Sequence, residues 1–272
     1  MTVPAFDTHA HLQDPAFGRD PGPLLERART AGVAAITLCG YDERSNDDAL
    51  RMAEASELLF PAVGFHPHEA GGVTAAMLTR LETLAIRDDV IAVGEIGLDF
   101  FRNHTSEADQ RRVLVEQLDI ALRVGKPVSL HTRAAEDLIH EQLAPYAESV
   151  RAAGRTNPGV MHCFGGTLEQ AQRYVELGFL ISIACPITYP RNDEARRLAA
   201  GLPLGSIVVE TDSPYLPPQK LRGQRNEPAN VRAAIVAIAS ARRATEDEIA
   251  AGTTANAEGM FGVMARARTE IA

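Results

Sequence analysis

Residues 4–12 read Pro-Ala-Phe-Asp-Thr-His-Ala-His-Leu, a short apolar run that ends in two histidines. An open dinucleotide-binding sheet of the Rossmann type carries a G-x-G-x-x-G fingerprint directly after its first strand. That fingerprint is absent from this turn, so the stretch argues against such a sheet. A barrel of parallel strands is the better interpretation.

Seven more short apolar runs follow, separated by amphipathic stretches whose apolar residues have helical spacing. The eight runs cover residues 4–8, 34–39, 60–65, 90–96, 127–130, 159–162, 179–183 and 206–211. The helical stretches cover 21–31, 44–58, 75–86, 106–125, 134–150, 168–178 and 193–201, with 230–242 and 245–261 after the last run. This alternation predicts an α/β fold, a (β/α)₈ TIM barrel with extra C-terminal helices, forming one domain over residues 1–272.

The amino-acid composition limits the kinds of partner that the protein is expected to bind. The 272 residues include 27 Lys and Arg against 36 Asp and Glu, a net charge of −9, so nucleic acid would have to be held by a local patch or a metal. Three scattered cysteines without a C-x-x-C pair indicate free thiols in a reducing compartment. Residues 1–11 contain no apolar signal core, and no apolar run reaches membrane length. We expect a cytoplasmic protein without a membrane partner or an obligate protein partner.

Histidines and carboxylates stand where the predicted strands end. The carboxyl ends of all strands of a barrel meet at one mouth, so these distant residues are expected to lie close together. The residues at the ends of the first, fourth, fifth, sixth and eighth runs are His9, His11, Glu95, His131, His162 and Asp212. His9 and His11 are two apart, which directs both side chains to the same face of a strand.

Four imidazoles and two carboxylates exceed the ligand set of one catalytic zinc ion. They suit two divalent ions, with Glu95 as the bridge because a carboxylate offers two oxygens. The chemistry predicted is hydrolysis by a metal-bound hydroxide that Asp212 orients or deprotonates. Imidazole-rich sites favour zinc or manganese, and magnesium stays an alternative.

Two more residues lie near these strand ends. Asp7 points the same way as His9, one layer deeper, and is a candidate for holding an imidazole in one tautomer. The alternative is a buried polar residue without that role. His66 follows the third run and is a candidate contact for a phosphate or a leaving group, with a purely structural loop residue as the alternative.

Arginines and aromatic residues in the mouth loops are candidate substrate contacts. Arg133, Arg222 and Arg225 could pair with a phosphate, although each alone is more often a solvated charge. Arg102, Arg191 and Lys220 would extend the same positive rim. The aromatic residues that could stack on bases are Phe100, Phe101, Phe164 and Tyr215, with core packing as the alternative.

Eight motifs, in order from residue 7 to about 261, resemble the TatD family of metal-dependent deoxyribonucleases. They are DTHAHL (7–12), GFHPH (64–68), GEIGLD (94–99), HTR (131–133), HCFGG (162–166), ETDSPYL (210–216), RGQRNEP (222–228) and TAN (254–256). The resemblance implies an amidohydrolase-like TIM barrel with the six strand-end residues as metal ligands. It also implies phosphodiester hydrolysis on DNA, typically from single-stranded or 3′ ends.

Two other functions remain open at this point. The same metals could act on a non-DNA ester, lactone or amide, or on an aminoacyl-tRNA. A barrel that has lost catalysis and only binds a partner is the non-enzymatic alternative, and the presence of all six candidate ligands argues against it.

Overall fold

The computed structural model describes residues 2–18, 21–102 and 104–265. Within them, eight strands form one sheet in chain order, and all neighbouring pairs are parallel. The strands are β1 (Ala5–Ala10), β2 (Val33–Cys39), β3 (Leu59–Val63), β4 (Ala92–Asp99), β5 (Val128–Arg133), β6 (Gly159–Met161), β7 (Leu180–Ile183) and β8 (Ile207–Val209). The predicted (β/α)₈ barrel is confirmed. The predicted range 1–272 also includes residues 1, 19–20, 103 and 266–272, which lie outside the described residues.

Helices separate the strands, and two more follow β8. They are α1 (Gly22–Thr30), α2 (Glu43–Glu54), α3 (Ala75–Ala85), α4 (Glu107–Val124), α5 (Glu136–Ala152), α6 (Leu168–Glu176), α7 (Asp193–Gly201), α8 (Val231–Arg242) and α9 (Glu246–Phe261). Helix α9 begins at a capping box, in which Thr245 and Glu248 bond each other's backbone N–H groups. None of the helices in the described ranges is both long and apolar enough to cross a lipid bilayer.

Helix α9 packs against the first and last strands of the barrel. The ring of Phe6 on β1 lies 5.8 Å from that of Phe261 in α9 and 6.2 Å from that of Phe60 on β3. Phe6 is fully buried, and burial of one such side chain contributes about 1.5–3 kcal/mol to stability. The C-terminal helix therefore holds β1, which carries the first histidines, against the rest of the barrel.

Hydrogen bonds across the seam between β8 and β1 close the barrel. The Thr8 hydroxyl donates to the carbonyl of Val209 at 3.0 Å. Beyond β8, the Asp212 N–H donates to the His9 carbonyl at 3.0 Å, and the His11 N–H donates to Ser213 at 2.7 Å. The closure thus sets Asp212 beside the two histidines of the first strand.

Candidate metal centre

The six candidate ligands converge at the carboxyl end of the barrel, although Glu95, expected at the end of its strand, lies in the middle of β4 because that strand continues to Asp99. Five of them line a cleft of about 430 Å³, and His9 is fully buried beneath it. Nitrogen and oxygen atoms within 4.8 Å of one another form three groups that share residues. These groups are His9 with His11 and Asp212, His9 with Glu95 and His162, and His66 with Glu95 and His131.

His9 on β1 and His11, one residue after the strand, direct their Nε2 atoms at one point. The His9 and His11 Nε2 atoms are 3.1 Å apart, close to the ~3.3 Å between two nitrogen ligands of a tetrahedral zinc ion. The His11 Nδ1 lies 2.8 Å from the Cys39 carbonyl oxygen, which accepts its proton and leaves Nε2 as the free ligand atom. The His9 Nδ1 lies 3.3 Å from the Ser129 hydroxyl.

Glu95 lies between two sets of imidazoles. Its Oε2 is 3.5 Å from the His9 Nε2 and 3.4 Å from the His11 Nε2. Its Oε1 is 2.9 Å from the His131 Nδ1 and 3.1 Å from the His162 Nε2. Each carboxylate oxygen thus faces a different set of nitrogens, the arrangement that a carboxylate bridging two cations requires.

Two further carboxylates fix the tautomers of the histidines from β5 and β6. The Asp99 Oδ2 lies 3.3 Å from the His131 Nε2, and the Glu210 Oε1 lies 3.0 Å from the His162 Nδ1. A carboxylate accepts the N–H of an imidazole and leaves the other ring nitrogen with its lone pair. His131 therefore offers Nδ1 to the centre of the site, and His162 offers Nε2.

From the sequence, no such role was assigned to Glu210 or Asp99, which appear there only within the motifs at 210–216 and 94–99. Glu210 is fully buried, and its Oε2 has no hydrogen-bond partner among the described residues. A glutamate within the eighth apolar run, two residues before Asp212, was the available signal. Asp99 also caps the following turn, because its Oδ1 accepts the N–H groups of Phe101 and Arg102.

Glycines allow the strands around Glu95 to approach closely. Gly97 on β4 pairs with His131 on β5 and has φ +151°, and a Cβ there would lie 1.9 Å from the His131 carbonyl oxygen. At Gly64, after β3, a Cβ would lie 2.8 Å from the carbonyl carbon of Gly94. Only glycine fits such contacts, so these residues determine how closely the ligand-bearing strands pack.

Asp212 turns back over β1. Its backbone is in the left-handed region, with φ 56°, three residues after the end of the last strand. The side chain is largely buried, and its Oδ1 lies 3.7 Å from the His11 Nε2. Burial raises the pKa of the Asp212 carboxyl to about 6.

The buried charges of the site are balanced by one another. Burial alone would raise the pKa of Glu95, but the neighbouring imidazoles of His66 and His162 outweigh it and hold the pKa well below its usual range. Burial alone would lower the pKa of His162, but Glu210 and Glu95 raise it well above the usual value. Burial and the nearby His162 lower the pKa of His9 to about 4. Buried carboxylates of this kind need positive charge beside them, so this donor set suits divalent cations.

The structure corrects the expectation for Asp7. Its carboxylate accepts the N–H of Thr211 at 2.8 Å and the Thr211 hydroxyl at 2.6 Å, so its partner is Thr211 and not an imidazole. The reason is the seam between β1 and β8, where Asp7 faces the segment that leads to Asp212. Asp7 therefore holds the backbone next to a candidate ligand.

His66, predicted as a substrate contact, lies directly beside the candidate metal ligands. Its Nε2 is 3.5 Å from the Glu95 Oε1, and its ring centroid is 4.6 Å from that of His131. Its Nδ1 accepts the backbone N–H of His68, which fixes the ring at the start of a short 3₁₀ turn. The position leaves Nε2 directed at the same Glu95 oxygen as His131 and His162.

The three predicted phosphate-binding arginines separate into two groups. Arg133, at the end of β5, lines the cleft. Arg222 and Arg225 lie outside its lining, because their guanidinium groups cover the rings of Tyr189 at 4.9 Å and Phe17 at 4.8 Å. Arg225 also donates to the Ala16 carbonyl at 2.8 Å. Arg222 and Arg225 do not line the cleft in the arrangement described, so their contact with a phosphate stays a prediction.

One side of the cleft is rich in nitrogen donors. The loops after β3 and β4 and the last residue of β5 line this side with His68, Arg102, His104 and Arg133. His68 is oriented by Asp99, whose Oδ2 lies 3.0 Å from the His68 Nε2. An anion bound beside the metal ligands would meet these groups first.

A (β/α)₈ barrel whose carboxyl end gathers imidazoles around a shared carboxylate is the architecture of a metal-dependent hydrolase. The family model described as TatD related DNase matches residues 6–262. The chain therefore belongs to the TatD family.

Relatives and solved structures agree with this assignment. The uncharacterized metal-dependent hydrolase YjjV of Escherichia coli (strain K12) is 36% identical over 259 residues, covering 94% of this chain and 97% of YjjV. The crystal structure of YjjV matches with a TM-score of 0.89 over 95% of this chain and 98% of that one, at 35% identity. A protein named 3′-5′ ssDNA/RNA exonuclease TatD, from Klebsiella pneumoniae (strain 342), is 34% identical over 263 residues, covering 95% and 98% of the two chains.

Proposed function

We propose that the protein is a 3′–5′ exonuclease that removes nucleotides from single-stranded DNA ends with two divalent metal ions. The observation that carries this proposal is that the two carboxylate oxygens of Glu95 face two different sets of imidazole nitrogens. The relative from Klebsiella pneumoniae that is named as an exonuclease supports the substrate class.

The ligands of the two ions follow from the free nitrogen atoms. His9, His11 and Asp212 would hold one ion, His131 and His162 the other, and Glu95 would bridge them. Divalent cations in such a pair lower the pKa of water and stabilise the attacking and leaving oxygens of a displacement. Imidazole nitrogens make up most of the set, so we propose zinc or manganese as the resident metal in preference to magnesium.

The protein's own side chains supply the proton transfer and hold the substrate. Asp212 would accept the proton of the attacking water, because its carboxylate lines the cleft beside the histidines at the end of the first strand. Arg133 and Arg102 bind the phosphate on the nitrogen-rich side of the cleft. His66 is directed at the Glu95 Oε1 and lines the floor on which the phosphate would lie.

The proposed reaction is a hydrolysis of the last phosphodiester bond, and it needs no oxidant or reductant. The water oxygen attacks the terminal phosphorus, and the bond to the 3′ oxygen of the neighbouring nucleotide breaks. That oxygen takes up a proton, which gives a 5′-mononucleotide and a strand that is one residue shorter.

The test uses a 5′-labelled single-stranded oligonucleotide with zinc, manganese or magnesium, and a chelator as the blank. The wild type should shorten the strand stepwise from the 3′ end in the presence of metal. His131→Ala and Asp212→Asn should lower the rate by at least about 100-fold and keep the circular dichroism spectrum. Asp88→Asn, an exposed residue remote from the cleft, is the matched control and should keep the rate.

The same preparations are assayed on a duplex, a lactone, an amide and an aminoacyl-tRNA. Metal-dependent activity on the lactone, the amide or the aminoacyl-tRNA, without cleavage of the oligonucleotide, would reject the exonuclease. It would favour the alternative function, hydrolysis of a substrate other than DNA. Full nuclease activity in a pure Asp212→Asn preparation would refute the site.

We further infer that the chain works as one domain in the cytoplasm. One sheet containing all eight strands supports the first point. Three cysteines that are free of disulfides support the second. Fractionation of cells that express a tagged chain tests the location.

A further inference from the structure

Phe101 is a large apolar side chain left in solvent beside the cleft. Its side chain is 61% exposed, although burial of an aromatic ring is worth several kcal/mol to a fold. Of the other aromatic residues of the mouth loops, Phe164 is buried against Tyr174, and Phe100 packs against the core. The exposure of Phe101 is therefore specific to this residue and is not shared by the other phenylalanines of the mouth loops.

The ring of Phe101 is held in place on one side. The Arg133 guanidinium carbon lies 3.9 Å from the ring centroid, and Arg133 itself lines the cleft. The Phe101 N–H donates to the Asp99 Oδ1 at 3.0 Å, and Asp99 is fixed at the end of β4. Gln110 of α4 further secures the turn, because its side chain bonds both the N–H and the carbonyl of Asp99.

A second exposed ring lies on the other side of the barrel mouth. Tyr215 follows β8, four strands around from β4 in an eight-stranded sheet, and is 52% exposed. Its hydroxyl donates to Asp14 at 2.8 Å, and its ring is 6.1 Å from that of His11. The candidate metal centre therefore lies between two exposed aromatic rings carried on opposite sides of the barrel.

We infer that the Phe101 ring, backed by Arg133, is the platform on which an unpaired base of the substrate strand stacks next to the scissile phosphate. This inference rests on the proposed exonuclease function and names the residues that select the single strand. An aromatic ring stacks on any base, and the guanidinium behind it adds positive charge near the phosphate. A base inside a duplex already has both faces covered by its neighbours, so only an unpaired base can use the free face of Phe101.

The experiment compares Phe101→Leu with Phe101→Tyr on two single-stranded oligonucleotides. One is unmodified, and the other lacks the bases at its 3′-terminal and penultimate positions. Phe101→Leu should lower kcat/KM on the unmodified strand by about 5- to 100-fold, mainly through KM, and should leave kcat/KM on the abasic strand unchanged. Phe101→Tyr keeps the ring and should retain wild-type values on both strands.

Ile86→Ala is the matched control. Ile86 follows α3 and is 63% exposed, so the change removes a comparable apolar surface at a site remote from the cleft. It should have no effect on either strand. An equal loss on the unmodified and the abasic strand in Phe101→Leu, or no loss on either, would overturn the platform.

Binding separates this inference from the proposed function. Fluorescence anisotropy of a labelled oligonucleotide is measured in an Asp212→Asn background with and without Phe101→Leu. Weaker binding with Phe101→Leu, in a protein whose wild type does not cleave DNA, would keep the platform and reject the exonuclease. If the wild type cleaves DNA, but Phe101→Leu changes neither binding nor kinetics, the exonuclease function is kept and the platform is rejected. A wild type that neither binds nor cleaves the oligonucleotide rejects both the platform and the exonuclease function.

Discussion

Replacing Glu210 by glutamine removes a buried negative charge without changing the shape of the side chain. The Glu210 Oε1 accepts the Nδ1–H of His162 at 3.0 Å and leaves Nε2 as the ligand atom. The amide of glutamine can keep a neutral hydrogen bond there but not the charge-assisted one, a loss of about 1–2 kcal/mol. That free energy corresponds to about 5- to 30-fold weaker binding of the ion that His162 is proposed to hold, which overlaps the roughly 10- to 100-fold typical of such partners.

The assay is competition for zinc against a chromophoric chelator, with metal content measured at saturation. Glu210→Gln should raise the Kd of one ion by about tenfold and keep the number of ions bound at saturation. The melting temperature of the metal-free variant is measured in parallel, because a general loss of structure would weaken both ions together.

Asp7→Asn is the matched control for this experiment. Asp7 is as fully buried as Glu210 and lies at the same seam, but its partner is Thr211. The change should lower the melting temperature and leave both zinc Kd values within a factor of about two, since no imidazole loses its acceptor. Equal zinc Kd values in Glu210→Gln and the wild type would refute the role assigned to Glu210.

Three more predictions concern stability and reactivity. Gly97→Ala sets a Cβ 1.9 Å from the His131 carbonyl oxygen, so urea unfolding should show a loss of more than about 2 kcal/mol, and an unchanged midpoint would contradict the close approach. Dialysis against a chelator should lower the melting temperature by about 5–10 °C relative to protein with metal at 100 times its Kd, because the ions bind only the folded chain. The melting temperatures are measured by calorimetry, and the absence of such a shift would contradict the metal centre. Burial raises the pKa of Cys185 to about 12 and that of Cys39 well above its usual value, so alkylation at pH 8 should be far slower in the native protein than in urea. Equal alkylation rates in the two states would contradict their burial.

The fold was predictable because each element satisfies its own local pattern. Every predicted run contains or overlaps a strand, and the predicted start of α9 at Thr245 is the observed cap. Element ends were less predictable. The helix expected over 134–150 begins at Glu136, because Ala134 takes a positive φ of 54° that helices do not use.

The candidate ligands were predictable because one rule about strand ends indicates them, although Glu95 lies in the middle of β4 and not at its end. Their partners were not, because a partner depends on side-chain rotation and on chain segments far away in the sequence. Asp7 and Glu210 are both buried acids near ligands, yet one bonds Thr211 and the other His162. Arg225 lies over Phe17, about 200 residues earlier, and no local pattern indicates that pairing.

The barrel seam has a consequence for how the protein is made. His9 is contributed by the first strand and Asp212 by the segment after the last, and backbone hydrogen bonds join the two only when both are present. A nascent chain on the ribosome that has not yet exposed Asp212 carries four imidazoles and Glu95 without the last candidate ligand or the closing strand. The candidate ligand set is therefore complete only after translation has passed the eighth strand and the barrel has closed.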